Sequence, residues 1–232
     1  MSNMNSTNKS GEKPLNGSDA FRRIFNSLIN YDLITLKLQT NGLPEAGQPL
    51  PSILAISALK DSLRSGNGVR QGMKFERFYF PTEILNPRAV RKNGLDEAAL
   101  RSLRQGCGYP EHFNDDLDSF LEFCDDVFLF VGFNITAFDA TFLPFLREEA
   151  KIRLFDLMTE NRDILCTEWN EQRNEWKLPN IFETAKAYGF DFDALHPQRN
   201  MEYVKLYRKI FDKMRQKANV RLPKIEQHLT RT

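Results

Sequence analysis

The chain has 232 residues, 41% of them hydrophobic, so one substantial domain with additional ends is the expected organisation. The formal net charge of +1 does not by itself indicate nucleic acid as a partner, although a local basic patch could still bind a strand. No apolar run in the sequence reaches the roughly 20 residues of a membrane span, so we expect no membrane partner.

The cysteines indicate the compartment of the protein, and the polar ends of the chain indicate the extent of its folded domain. Cys107, Cys124 and Cys166 are far apart and odd in number, which favours free thiols in a reducing compartment over a disulfide framework. We therefore expect an intracellular, cytoplasmic protein. The start of the chain is polar and lacks the apolar segment of a signal peptide. The predicted organisation is a disordered tail over residues 1–18, a folded domain over residues 19–217 and a C-terminal tail over residues 218–232.

The first half of the chain predicts mainly strands. The first strand runs from Asp32 into a turn at Gly42, and its apolar and polar side chains alternate. The short connections that follow it allow an antiparallel meander of three strands. The other predicted elements of this half are a short helix from residue 18 or 19 to about residue 28, strands over residues 52–59 and 73–80, and a turn at residues 65–68.

The second half alternates helical and strand patterns. Asp96 is predicted to cap a short helix, and the apolar run over residues 128–133 is typical of a central strand that is covered on both faces. The remaining predicted elements are helices over residues 114–124, 137–150, 178–188 and 197–217, and a strand over residues 152–157. A meander followed by alternating strands and helices predicts an α/β fold, with a mixed five-stranded sheet and helices on both faces.

Lys37 and Gln39 are unusual residues for the middle of an apolar strand. Both side chains point to the same face, so they require a polar cleft. The stretch Lys37-Leu38-Gln39-Thr40-Asn41-Gly42-Leu43 resembles motif I of the DnaQ-like (DEDDh) 3′–5′ exonucleases, in which Asp and Glu stand two residues apart before Thr-Thr-Gly-Leu. Lys37 and Gln39 occupy the positions of those two carboxylates.

Further stretches resemble the same family, in the family's order, over roughly residues 32–214. Motif II corresponds to Val131-Gly132-Phe133-Asn134 followed by Phe138-Asp139, and the approach to motif III corresponds to Tyr188-Gly189-Phe190 followed by His196. The others are Asn93-Gly94-Leu95-Asp96, Phe155-Asp156-Leu157 and Lys177-Leu178-Pro179-Asn180. The resemblance implies the RNase H-like fold, in agreement with the order of predicted elements.

The resemblance also implies a chemistry that this sequence does not support fully. The family hydrolyses phosphodiesters with two divalent cations held by four carboxylates, and a histidine deprotonates the attacking water. Asp139 and His196 match retained positions of that site, whereas Lys37, Gln39 and Met201 stand at degenerate ones. One carboxylate of four therefore remains, and no cofactor is predicted. The register of motif III stays open around Asn200 to Glu202.

Charge balance gives a specific expectation for the altered site. Lys37 and Asp139 sum to about zero, and two unit charges 4 Å apart interact by about 4 kcal/mol at an effective dielectric near 20. We expect the Lys37 ammonium to stand at the metal position and to form an ion pair with Asp139. Ordinary structural roles stay open as alternatives: Lys37 as an edge-strand side chain, Asp139 as a helix cap and His196 as a loop residue.

The favoured hypothesis is a non-catalytic protein with an exonuclease fold that binds a single-stranded DNA or RNA end or a protein partner. One alternative is an active 3′–5′ exonuclease with relocated ligands, which would need Mg²⁺ or Mn²⁺. The other is a structural partner subunit without nucleic-acid binding. By the resemblance, the residues expected to contact a terminal nucleotide are Thr40, Asn41, Gly42, Leu43, Phe133 and Asn134.

Overall fold

The computed structural model describes residues 32–62, 72–191 and 199–217. Both predicted tails, the helix predicted before the first strand, the turn at residues 65–68 and His196 lie outside these residues. Among the described helices, none is both long enough and apolar enough to cross a bilayer.

A five-stranded mixed sheet forms the centre of the fold. Its strands are β1 (Asp32–Thr40), β2 (Ile53–Ser62), β3 (Met73–Phe78), β4 (Leu129–Gly132) and β5 (Arg153–Asp156). The spatial order is β3-β2-β1-β4-β5. The first three strands pair antiparallel, whereas β4 pairs parallel with both β1 and β5. The predicted meander and the predicted mixed sheet are therefore confirmed.

Helices and one small hairpin connect and cover the strands. The helices are α1 (Pro87–Asn93), α2 (Glu97–Leu103), α3 (Leu117–Cys124), α4 (Asp139–Phe142), α5 (Phe145–Glu148), α6 (Leu157–Leu165), α7 (Ile181–Ala187) and α8 (Asn200–Lys217). A 3₁₀ turn over Phe113–Asp116 leads into α3, and strands β6 (Trp169–Asn170) and β7 (Glu175–Trp176) form the hairpin.

Three details of the predicted elements are wrong. The single helix expected over residues 137–150 is two short helices, because Pro144 disfavours a helical conformation at Leu143, whose ψ is 76°. Residues 91–96, which the sequence predicts as a turn before the helix that Asp96 caps, contain the end of α1, which closes at Gly94 in the left-handed conformation (φ 69°). Helix α6 follows β5 directly and was not expected. It begins where the Asp156 side chain accepts a hydrogen bond from the N–H of Met158.

Apolar side chains pack on both faces of the sheet. Ile34, Leu36 and Leu38 of β1 belong to a core on the side of α3 and α4. Leu33, one residue earlier, belongs to a second core that includes the buried face of α8. The alternation predicted for β1 is confirmed, and it directs Lys37 and Gln39 to the face that α8 covers.

A buried ion pair attaches α8 to β2. Arg208 donates from Nε to Oδ2 of Asp61 over 2.8 Å, and both residues are almost completely buried. Arg208 also pairs with Asp212 one turn along the helix. This pair fixes the position of α8 over the sheet, and therefore the position of every α8 side chain that reaches β1.

We expect Arg208→Met to lower the free energy of unfolding by about 3 kcal/mol, because it leaves the Asp61 carboxylate buried without its partner. Urea denaturation followed by circular dichroism measures the change. The matched control is Arg101→Met, which breaks the exposed pair with Glu97 and should cost about 0.5 kcal/mol or less. Similar losses of unfolding free energy in the two variants would show that the Arg208–Asp61 pair does not hold α8 on the sheet.

Candidate functional site

The candidate site lies where β1 and β4 separate. The two strands are paired from Leu33 opposite Leu129 to Thr35 opposite Val131. β1 continues beyond this point toward Thr40, and it stands between an antiparallel and a parallel neighbour. A change of strand order at the carboxyl ends of strands is a common place for a ligand-binding crevice.

Asp139 closes the space between the diverging strands. It is the first residue of α4, it is 4% exposed, and its Oδ1 accepts a hydrogen bond from the Leu38 N–H over 3.0 Å. Burial raises the pKa of Asp139 to about 7, although the positive charge of Lys37 and the hydrogen bond from Leu38 both act to lower it. The retained carboxylate thus binds the backbone of the central strand.

Lys37 extends toward α8, on the opposite side of the strand from Leu38. Its Nζ lies 5.3 Å from the centre of the Tyr203 ring, a cation–π distance. Burial lowers the pKa of the Lys37 ammonium, Asp139 acts to raise it, and the charge of Lys92 lowers it further. For Lys37 as for Asp139, the cost of burial therefore exceeds the mutual attraction of the two groups.

The direct ion pair expected between Lys37 and Asp139 is absent. Among the ion pairs of the described residues, none joins Lys37 to a carboxylate within 4.0 Å. The two charges interact at longer range, as their effects on each other's pKa show. The physical reason is that the Asp139 carboxylate is held by the Leu38 N–H, while Lys37 lies over Tyr203.

The first turns of α8 supply the other wall of the site. The Tyr207 ring stacks against Phe133, with ring centres 5.9 Å apart, and burial followed by the nearby Asp139 charge raises the pKa of Tyr207. Asn200 is fully buried, and neither its Oδ1 nor its Nδ2 has a hydrogen-bond partner among the residues that the structure describes. Spacings of three and seven residues place Asn200 on the same helix face as Tyr203 and Tyr207.

Asn200, which lies within the motif III register that the sequence leaves open, is therefore the residue of that range that shares a helix face with Tyr203 and Tyr207. Met201 is also buried, at 6% exposure, but it carries no polar group. The signal that could have found Asn200 is the helical spacing, because residues 200, 203 and 207 share one face.

The loop after β1 is held by its own polar side chains. Asn41 is 2% exposed, donates to Glu83 and to the Ile84 carbonyl, and accepts from the Asn86 N–H. Burial works against ionisation of Glu83, but hydrogen bonds from Ser52 and Asn41 outweigh it and hold the pKa of Glu83 at about 2. Glu83 is a further residue that the sequence did not point to. Asn41 thus fixes the loop.

The other residues expected to contact a nucleotide differ in how accessible they are. Thr40 is buried and donates to the Gly42 carbonyl over 2.6 Å. Leu43 is 64% exposed at the tip of the loop. Asn134 has a left-handed backbone (φ 65°), and its N–H donates to Asp156. The structure thus brings two loops to the carboxyl ends of β1 and β4, with Leu43 as the most exposed side chain of the expected set.

A cavity of about 250 Å³ adjoins the loop after β1. Pro51, which a side chain at Gly42 would touch, is part of its wall. The rings of Phe80, His112 and Phe142 also line it. His112 Nδ1 lies 2.9 Å from the Phe80 carbonyl oxygen, so that nitrogen is engaged within the wall.

The side chains present do not fit the pair of divalent cations that this type of site requires. Two such ions need about four negative charges around them. Lys37 contributes a positive charge, and Gln39, Asn200 and Met201 contribute none. Within the described ranges, no three His, Cys, Asp or Glu side chains are grouped closely enough to hold a metal ion.

Comparison with solved structures identifies the fold. The chain superposes on exonuclease I (TM-score 0.56, 17% identity, covering 81% of this chain and 41% of that one). It superposes on cell-death related nuclease 4 with a TM-score of 0.54 and 12% identity, covering 80% of this chain and 64% of that one. It also superposes on the nuclease domain of 3′hExo, a DEDDh family member, bound to rAMP, with a TM-score of 0.52 and 10% identity, covering 81% of this chain and 92% of that one.

These matches show that the chain has the fold of these nucleases, built on a mixed five-stranded sheet. Identities this low establish the fold alone. No protein family model matches the sequence, and no curated protein sequence matches it.

The raised pKa of Asp139 predicts a pH dependence of stability. Its pKa is about 7 in the folded chain and about 3.9 in an unfolded chain, so its contribution is present at acid pH and is lost as the pH rises from about 4 to about 7. We expect the unfolding free energy of the natural chain to fall, relative to Asp139→Asn, by up to about 1.4 kcal/mol per pH unit across this window.

Urea denaturation at a series of pH values measures the difference. The asparagine retains an oxygen that can accept from Leu38, so the comparison isolates the charge. The exposed Asp118→Asn variant is the control and should follow the natural chain. If the unfolding free energies of the natural chain and of Asp139→Asn followed parallel curves against pH, the raised pKa of Asp139 would be contradicted.

Proposed function

We propose that this protein binds the end of a single-stranded DNA or RNA and does not hydrolyse it. The observation that carries the proposal is the pair of charges at the end of β1. By the sequence resemblance, Lys37 stands at a position where the exonucleases carry a carboxylate, and Asp139, the one carboxylate that the resemblance retains, accepts a hydrogen bond from the Leu38 N–H.

Loss of hydrolysis follows from electrostatics. A divalent cation beside Asp139 would be repelled by the Lys37 ammonium at long range, and it would have to compete with Leu38 for the carboxylate. Gln39 offers an amide oxygen without charge. Asp156, whose charge reaches Asp139, accepts hydrogen bonds from the N–H groups of Asn134, Thr136 and Met158. These bonds make it a poor replacement ligand.

Binding of a nucleic-acid end is supported by what the site retains. The loops that carry Leu43 and Phe133 stand at the crevice between β1 and β4, and the crevice contains a cation that can attract a phosphate. Solved structures with this fold include a 3′-exonuclease that recognises the 3′ end of a histone mRNA stem-loop (TM-score 0.53) and a nuclease domain bound to rAMP. We infer the same class of ligand for this chain.

We expect the purified protein to bind a labelled single strand with an affinity that falls as salt is raised, since phosphate contacts release counterions. The strand should keep its full length in the presence of Mg²⁺ or Mn²⁺. Fluorescence anisotropy measures the binding, and a denaturing gel of the same sample shows the length.

Asp139→Ala is the control for trace activity. Turnover that disappears in this variant would overturn the proposal and show an active exonuclease with relocated ligands. Failure of the protein to bind any strand would instead favour the structural-subunit alternative.

A further inference from the structure

Lys37 is a cation that no carboxylate of the described residues approaches to ion-pair distance. Its side chain is partly buried, its charge is disfavoured by that burial, and its described contact is the face of the Tyr203 ring. A carboxylate at hydrogen-bonding distance would stabilise such an ammonium, but no described ion pair supplies one. An arrangement of this kind is favourable when an anionic ligand completes it.

A second cation, Lys92, is held at the same end of β1 as the first. Its charge also acts to lower the pKa of Lys37. It stands on the last turn of α1, which is anchored to the end of β1 because Asn93 donates from Nδ2 to the Thr40 carbonyl over 3.3 Å. Two like charges brought together by the fold cost free energy unless an anion lies between or beside them.

The third feature is the start of α8. Asn200 is the first residue of this 18-residue helix, and within the described part of the chain its buried amide has neither an acceptor for its N–H₂ nor a donor for its oxygen. Buried amides in native proteins are normally satisfied, so an orphaned one points to a missing partner. The amino end of a helix also favours a negatively charged ligand.

We propose that Lys37, Lys92 and Asn200 form a binding site for a terminal phosphate monoester of a nucleic-acid strand. This proposal rests on the function proposed above and states that the protein prefers a phosphorylated terminus over a hydroxyl terminus. A monoester carries nearly two negative charges near neutral pH, which matches two lysines, whereas an internal diester carries one. Only a strand end can bring such a group into a crevice closed by Asp139 and α8. The ammonium groups then bind the phosphate directly, without a metal.

The test compares three strands of identical sequence that carry a 3′-hydroxyl, a 3′-phosphate or a 5′-phosphate, in buffer with EDTA. We expect one of the two phosphorylated strands to bind about tenfold more tightly than the 3′-hydroxyl strand, because charge-assisted hydrogen bonds are strong. The arm that gains affinity identifies whether the 3′ or the 5′ phosphate is recognised.

Variants assign the effect to the site. Lys37→Met should remove the preference for the phosphate, so that this variant binds the phosphorylated strand no more tightly than it binds the 3′-hydroxyl strand. Lys74→Met, at an exposed position on the edge strand β3, is the matched control and should retain the preference. A circular dichroism melt confirms that each variant is folded.

The outcomes separate the two proposals. Equal affinity for all three strands would overturn the phosphate site while leaving end binding intact. Preference for a phosphate that Lys37→Met does not change would also overturn it, since the phosphate would then bind elsewhere. No binding of any strand would overturn both proposals.

Discussion

The hydrogen bond from the Leu38 N–H to the Asp139 carboxylate sets the character of this molecule's site. It joins the central strand to α4 at the point where β1 leaves β4, and it uses the retained carboxylate for a structural contact. Lys37 on the same strand adds a positive charge at longer range. The charges of Lys37 and Asp139 sum to about zero, and the proposed loss of metal-dependent hydrolysis rests on this balance.

Contacts other than those of Lys37 and Asp139 hold the elements around the site in place. The second apolar core and the Arg208–Asp61 pair hold α8 over the sheet, and the hydrogen bonds of Asn41 hold the loop after β1. These contacts do not depend on a metal. The shape of the crevice therefore rests on contacts made by the protein itself.

Much of the fold was predictable from the sequence because alternation along a strand is a local property. The apolar pattern around Lys37 and the uninterrupted apolar run of β4 predicted their places in the sheet. Helix α6 escaped prediction because it follows β5 without a break, and the helix expected over residues 137–150 was divided by Pro144. Such boundaries depend on backbone conformations that hydrophobic periodicity does not record.

The contacts of the candidate residues could not be predicted from the sequence. The distance between the charged groups of Lys37 and Asp139 depends on which backbone N–H the carboxylate meets, and that is a tertiary property. The sequence also left the motif III register open between Asn200 and Glu202, because a motif alignment does not record which residue shares a helix face with Tyr203 and Tyr207. Glu83 lies far along the chain from Asn41 and no motif connects them.

The central claim is that this pocket does not hold a catalytic divalent metal. Crystals grown in Mn²⁺ and measured at the manganese absorption edge test it most directly, because anomalous scattering locates the ion without reference to activity. The account predicts no anomalous peak at coordination distance from the Asp139 carboxylate. A peak there, with Asp139 as a ligand and the Leu38 hydrogen bond broken, would contradict it.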